Sequence, residues 1–84
     1  MNVVFSPQAW EDYQQWQSVD RAIVRRINRL INEICRAPYE GIGMPEPLKY
    51  GLRGAWSRRI TDEHRLVYRV VDDSLEIFQA RYHY

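Results

Sequence analysis

The sequence contains few of the residues that build disulfide-stabilised, zinc-binding or membrane proteins. It has one cysteine, Cys35, and two histidines in 84 residues, so it predicts neither an intramolecular disulfide framework nor a zinc site of the usual spacing. No apolar run approaches the length of a membrane-spanning helix, and the N-terminus lacks the pattern of a signal peptide. We therefore expect a soluble, cytoplasmic protein that uses no metal and no other cofactor.

Lysine is almost absent as well. Lys49 is the only lysine among the twelve basic residues, and the other eleven are arginines. The net charge is only +1, yet the segment from Pro47 to Arg69 carries six basic residues and two acidic ones. Because guanidinium groups bind phosphate through two parallel hydrogen bonds, this segment indicates an anionic partner on one face. Solvated strand edges would give the same composition, so charge alone does not decide between the two.

The first half of the chain predicts a strand and two helices within one domain that spans residues 1–84. Residues 2–5 are apolar and partly β-branched, which favours a strand. Ser6 and Pro7 are typical of a helix start, and this helix is predicted to end near Gln17 or Ser18. Asp20 then caps a second helix up to about Arg36, whose isoleucines and leucine recur at helical spacing.

The second half predicts a loop and three strands. Residues 38–47 contain three prolines and two glycines and read as a loop. Residues 54–60, 65–71 and 75–82 are separated by short polar turns, which favours an antiparallel meander. The order β-α-α-β-β-β predicts an α+β fold, a small and largely antiparallel sheet with an antiparallel helical hairpin packed on one face. The other face is left open to a ligand, and Cys35 is predicted to be a small core residue.

Alternation along the last two strands predicts which side chains occupy the open face. Leu66, Tyr68 and Val70 are expected to face the helices, and so are Phe78, Ala80 and Tyr82 in the last strand. The alternation in residues 54–60 is ambiguous, because Arg58 shares a side with Trp56 and Ile60. The predicted open-face residues are Arg65, Arg69, Arg81 and His83, and Arg69 and Arg81 are predicted to bind RNA through its phosphates.

These residues suit RNA cleavage without a metal ion, which needs a base, a phosphate-binding cation and an acid. Glu46 lies between two prolines that stiffen its loop, and it is a candidate base. Arg65, assisted by Arg59 and Lys49, is a candidate phosphate clamp. His83 is a candidate acid, and the terminal Tyr84 could stack on a base. Taken singly, each residue has an ordinary alternative: a solvated carboxylate, an ion-paired arginine or a disordered chain end.

The sequence resembles the YoeB toxins of the RelE/ParE superfamily from end to end. The first matching segments are residues 10–13 (WEDY), with Trp16, and 44–49 (MPEPLK). The others are residues 56–68 (WSRRITDEHRLVY) and 81–84 (RYHY). Any one segment is weakly diagnostic, whereas all of them together are specific.

The resemblance implies a toxin of a type II toxin–antitoxin system that cleaves mRNA in the A site of the 70S ribosome. It implies a cognate antitoxin of the YefM type, a homodimer, and a toxin–antitoxin complex that binds operator DNA. It also assigns a catalytic set and two supporting residues for the substrate phosphate. The implied catalytic residues are Glu46, Arg65, His83 and Tyr84, and the implied phosphate-binding residues are Lys49 and Arg59.

Two other functions stay open at this point. ParE-like members of the superfamily share the fold but inhibit DNA gyrase by binding, without catalysis. A passive RNA-binding module would bind RNA with strong salt dependence and leave it intact. Neither needs the combination of Glu46, Arg65 and His83, so this combination favours the nuclease.

Overall fold

A computed structural model describes residues 1–82 of the chain as two helices and a five-stranded sheet. In chain order these are β1 (Asn2–Phe5), α1 (Pro7–Val19), α2 (Arg21–Arg36), β2 (Glu46–Pro47), β3 (Trp56–Arg59), β4 (Arg65–Val71) and β5 (Ser74–Gln79). The strand order is β1-β5-β4-β3-β2. Strand β1 runs parallel to β5, and the other neighbours are antiparallel. The predicted α+β fold with a largely antiparallel sheet is confirmed.

The two helices form the predicted antiparallel hairpin around a one-residue link. The Ser6 hydroxyl accepts from the Ala9 amide at 3.1 Å and caps α1. Asp20 Oδ1 accepts from the Ala22 amide at 3.0 Å and caps α2. Such side chains satisfy amides that have no partner in the first turn of a helix.

The core lies between the helical hairpin and one face of the sheet. Each of the central residues contributes roughly 1.5–3 kcal/mol through burial of its side chain. They are Ile27, Leu30 and Ile34 of α2, Leu66 and Tyr68 of β4, and Leu75 and Ile77 of β5. Cys35 packs partly buried against this core. No helix within residues 1–82 is long and apolar enough to cross a bilayer.

A bulge in β5 changes the predicted alternation. Tyr68 is paired with Ile77 but Val67 with Gln79, so Phe78 is an extra residue in its strand. As a result Ile77 and Ala80 both reach the core, whereas the Phe78 ring lies 5.3 Å from the guanidinium carbon of Arg69. The prediction that Phe78 faces the helices is wrong, because the bulge shifts the alternation by one residue.

Several boundaries differ from the sequence prediction: α1 ends at Val19 instead of Gln17 or Ser18, and β3 covers Trp56–Arg59 instead of residues 54–60. Strand β5 ends at Gln79 instead of residue 82, because Ala80 and the residues after it bond to α1 and to the β3–β4 turn. Glu46 and Pro47 form a short edge strand where a loop is predicted. Proline is tolerated there because an edge strand leaves one side of its backbone unpaired.

Candidate active site

The pairing of β2, β3 and β4 brings Glu46, Arg59 and Arg65 onto the open face of the sheet. Glu46 is paired with Ser57, two residues before Arg59, and Arg59 is paired directly with Arg65. Residues paired across antiparallel strands share a face, and so do residues two apart in one strand. The intervening Arg58 and Leu66 are fully buried on the helix side. Glu46 is therefore a diagonal neighbour of Arg59, at about 7–8 Å, within reach of long side chains.

Arg59 and Arg65 form a pair of like charges. Directly opposed residues have Cβ atoms about 4.5–5.5 Å apart, and like charges at this spacing destabilise a sheet. Within residues 1–82, neither guanidinium forms a salt bridge with a carboxylate. The Arg65 guanidinium donates to the Thr61 carbonyl at 3.2 Å, and the Arg59 side chain is exposed. Such a pair is suited to an external anion, which would offset the repulsion between the two guanidinium groups.

The backbone of Arg59 is fixed from two sides. Its amide donates to the Gly43 carbonyl at 2.6 Å, and its own carbonyl accepts from Arg26 Nη2 at 3.1 Å. Gly43 has a φ of +84°, and a Cβ atom there would lie 3.0 Å from Leu30 Cδ2 and 3.2 Å from the Arg59 carbonyl oxygen. Only glycine fits this close approach without strain. Gly43 thus holds the chain that leads to Glu46 against the end of β3.

Arg58 holds the segment that precedes Glu46 from inside the protein. Its Nη2 donates to the carbonyls of Ala37 at 2.7 Å and Glu40 at 2.9 Å, and Nη1 donates to that of Ile42 at 3.1 Å. Its Nε donates to the Tyr68 hydroxyl at 3.2 Å, and this hydroxyl donates to the Pro38 carbonyl at 2.6 Å. A buried side chain thus fixes the backbone of a long loop by direct hydrogen bonds.

The buried hydroxyl of Tyr68 makes stability sensitive to alkaline pH. Burial raises the pKa of Tyr68 above its ordinary value of 10.0, and the hydrogen bond and charge of Arg58 oppose this rise. As the pH rises, the Tyr68 hydroxyl therefore loses its proton in the unfolded chain before it does so in the folded protein. The protonated hydroxyl contributes its full share of the folding stability below pH 10.0, and this share is lost as the pH rises through the folded-state pKa.

We expect Tyr68→Phe to lower the free energy of unfolding by about 1–2 kcal/mol at neutral pH, because two hydrogen bonds are lost. We also expect the variant to lose less stability than the parent protein as the pH rises beyond 10.0. Urea denaturation of both proteins over a pH series measures the two effects. The same decline in both proteins at alkaline pH would contradict this assignment.

The remaining predicted phosphate ligands lie apart from the arginine pair. Arg69 is on the open face, as predicted, but its Nε donates to Glu76 Oε1 at 2.9 Å. Lys49 is exposed and follows Leu48, whose amide bonds to Ala55 at the start of the β3 ladder. Arg59 lies at the other end of β3, roughly 13 Å from Ala55, because a strand rises about 3.3 Å per residue.

The predicted position of Arg81 on the open face is wrong. Its guanidinium carbon lies 5.6 Å from the centroid of the Trp16 ring, and Nη1 donates to Gln15 of α1. The cause is that the strand ends before Arg81, so strand alternation no longer determines where its side chain points.

The described part of the chain ends beside Arg65. The amide of Arg65 donates to the Tyr82 carbonyl at 3.0 Å, and the Tyr82 amide donates to His64 Nδ1 at 2.8 Å. The predicted acid His83 and the aromatic Tyr84 lie outside the described residues. The carbonyl carbon from which the chain continues to His83 is thus held next to the backbone of Arg65.

The sequence of the chain matches a known family of bacterial toxins. Residues 5–84 match a sequence model of the family described as YoeB-like toxins of bacterial type II toxin–antitoxin systems. The chain belongs to this family. It is 57% identical over 84 residues to toxin YoeB of Escherichia coli strain K12, and the alignment covers 100% of both chains. The resemblance to YoeB toxins found in the sequence is confirmed.

Solved structures of YoeB toxins share the fold. The structure of the YoeB dimer from Staphylococcus aureus superposes with a TM-score of 0.95 at 50% identity, and the alignment covers 100% of this chain and 98% of that one. The YoeB chain of the heterotetrameric YoeB–YefM toxin–antitoxin complex from Staphylococcus aureus gives a TM-score of 0.91 at 50% identity, with the same coverage. The chain is thus a toxin of a type II toxin–antitoxin system.

The roles of two residues that shape the site of this YoeB-like toxin, Arg58 and His64, could not be predicted from the sequence. Arg58 is adjacent to Arg59 and differs from it only in the side of the strand on which it lies. The apolar residues Trp56 and Ile60 lie on the same side as Arg58 and are the only sequence signal that this side is buried. His64 lies in a turn and reads as a turn residue, yet it is buried and accepts a hydrogen bond from Tyr82. No local pattern marks His64, because its partner is 18 residues away.

Proposed function

We propose that this toxin is a ribosome-dependent endoribonuclease that cleaves mRNA by attack of a 2′-hydroxyl, without a metal ion. The observation that carries the proposal is the arginine pair on the open face of the sheet, with Glu46 as its diagonal neighbour. Both guanidinium groups lack a carboxylate partner within residues 1–82. A phosphodiester at the pair would have a carboxylate beside it, as proton abstraction next to a phosphate requires.

Glu46 acts as the general base and Arg65 and Arg59 bind the phosphate. Glu46 takes the proton of the 2′-hydroxyl, and the 2′ oxygen forms a bond to the adjacent phosphorus. The bond from phosphorus to the 5′ oxygen breaks, which leaves a 2′,3′-cyclic phosphate on one fragment. The guanidinium groups stabilise the additional negative charge of the transition state.

His83 gives a proton to the departing 5′ oxygen, which leaves as a hydroxyl, and Tyr84 stacks on a base. The hydrogen bond between the Arg65 amide and the Tyr82 carbonyl supports these roles, because residue 83 is attached to this carbonyl carbon. Lys49 contacts a phosphate farther along the mRNA, in keeping with its distance from the pair. Arg69 and Arg81 are left out, because their guanidinium groups are engaged within the protein.

The partners of the toxin follow from its relatives. The Staphylococcus aureus YoeB–YefM complex supports an antitoxin of the YefM type, and the YoeB dimer from the same organism supports a homodimer. We propose that this antitoxin keeps the toxin inactive and that the complex of the two proteins binds operator DNA. The substrate is mRNA in the A site of the 70S ribosome.

Cleavage of a programmed-ribosome complex tests this function. The purified toxin is added to 70S ribosomes that hold a defined mRNA, and new mRNA ends are mapped and their chemistry identified. We expect cuts at the A-site codon that leave a 2′,3′-cyclic phosphate. A second mRNA carries one 2′-deoxynucleotide at the cleaved position, and we expect no cleavage there because the nucleophile is missing.

Four outcomes would overturn the proposal. Cleavage at the deoxy position, or a product with a 3′-hydroxyl end, would exclude attack by the 2′ oxygen. Intact mRNA together with DNA breaks in cells that express the toxin would point to a gyrase inhibitor of the same fold. Intact mRNA that binds the toxin in a salt-dependent manner would indicate a passive RNA-binding module.

A further inference from the structure

Directly after β5, the chain makes a set of buried polar contacts that have no role in the proposed chemistry. Asp12 of α1 is 4% exposed, and its Oδ2 accepts from the Ala80 amide at 3.0 Å. The indole of Trp16 is 7% exposed, and its Nε1 donates to the Ala80 carbonyl at 2.8 Å. Both backbone groups of one residue are therefore held by side chains of α1, 64 and 68 positions away in the sequence.

His64 holds the next part of the tail. Its Nδ1 accepts from the Tyr82 amide at 2.8 Å, so the ring proton is on Nε2, which lies 3.1 Å from Glu63 Oε1. The ring also packs edge-on against Trp16, with centroids 4.8 Å apart. His64 is 7% exposed. A histidine with both ring nitrogens engaged and a ring against an indole is fixed in one orientation.

Tyr82 adopts a backbone conformation that needs such support. Its φ is +60°, in the left-handed region that residues other than glycine rarely enter. Strained residues of this kind persist where the surroundings determine their geometry, and they cluster at functional sites. The Tyr82 amide is bound by His64 and its carbonyl by the Arg65 amide. Both backbone groups of Tyr82, the last described residue before His83, are therefore held by His64 and Arg65.

We infer that Asp12, Trp16 and His64 form a tail clamp that positions the terminal His83 for catalysis, with His64 as the main positioning residue. The inference rests on the proposed nuclease function, in which His83 is the acid. A general acid must lie within hydrogen-bond reach of the leaving oxygen. A displacement of about 1 Å can cost about 100-fold in rate. Loss of the clamp is therefore expected to lower kcat while the KM for programmed ribosomes stays within about twofold.

Two substitutions of His64 separate positioning from general stability. His64→Leu removes the acceptor, and we expect kcat to fall by roughly 10- to 100-fold. His64→Asn places its Oδ1 where Nδ1 lies and keeps the acceptor for Tyr82, so we expect kcat within about fivefold of the parent toxin. Hydrogen exchange of the Tyr82 amide should be fast in the leucine variant and protected in the asparagine variant. Ile34→Val, a change in the buried core that leaves every hydrogen bond of the tail in place, controls for lowered stability.

A double-mutant cycle tests whether His64 acts through His83. In a His83→Ala background, we expect His64→Leu to lower kcat by less than about twofold, because the group that it positions is already absent. If the two effects multiply, or if His64→Asn fails to restore kcat, the tail clamp has no positioning role. If His83→Ala alone leaves cleavage unchanged, the proposed function has failed at its acid, and the cycle reports this separately.

Discussion

Glu46→Gln is expected to lower the rate constant of A-site mRNA cleavage by about 100-fold or more, the scale of a lost general base. Glutamine has nearly the same shape as glutamate, so the β2–β3 pairing should persist. Its side-chain amide cannot act as a base, so only the proton transfer is lost. Single-turnover cleavage on programmed 70S ribosomes measures the chemical step without product release. We expect the affinity of the variant for the ribosome to stay within about twofold, because base catalysis acts in the transition state.

Glu40→Gln is the matched control for this prediction. Glu40 lies in the loop that precedes β2, its side chain is exposed, and its carbonyl is the group that contacts Arg58. We expect this variant to cleave at the rate of the parent toxin within about twofold. If both glutamine variants lost activity equally, the cause would be a change of loop charge, and Glu46 would have no role as a base. Full activity of the Glu46 variant would leave the mechanism without its proton acceptor.

The helices and the middle strand could be predicted because each is decided by local signals. Strand β4 is observed as Arg65–Val71, which matches its predicted range. Helix α2 extends over Arg21–Arg36, as its periodicity indicates. The end of β5 could not be predicted, because its apolar pattern continues to residue 82 while its backbone partners change. Asp12 and Trp16 take the backbone groups of Ala80, and no pattern within the strand announces these distant side chains.

Some residues of the candidate site could likewise be predicted from the sequence, and others could not. Glu46, Arg59 and Arg65 are recognisable from their motifs, and the register of three strands places them on one face. Arg69 has the same parity as Arg65, but its cross-strand partner is Glu76, which binds its guanidinium. The identity of a cross-strand partner depends on the register between strands, which the bulge at Phe78 alters. Residue type and parity therefore predict candidates, and only pairing decides which cations remain available to a substrate.

Arg58→Leu is expected to destabilise the toxin by about 3 kcal/mol or more, although Arg58 touches no substrate in the proposed mechanism. Hydrogen bonds from a charged donor contribute about 1.5–3 kcal/mol each, and the loss of several outweighs the apolar surface that leucine buries. Total stabilities of small domains are about 5–15 kcal/mol, so this loss is a large fraction. The melting temperature should fall by roughly 12–24 °C for a chain of this size. Thermal unfolding followed by circular dichroism measures it.

Arg59→Leu is the control, because it changes the adjacent residue on the opposite face of the same strand. Its side chain is exposed and faces Arg65, so removal of the charge relieves repulsion, and we expect the stability to change by no more than about 0.5 kcal/mol. Cleavage should nevertheless fall, because the phosphate loses one of its two guanidinium ligands. A similar melting temperature for both variants would mean that the hydrogen bonds from Arg58 to the carbonyls of residues 37–42 do not stabilise the folded toxin. The opposite effects expected of these neighbours follow from strand parity, which directs one guanidinium to the loop backbone and the other to the anion.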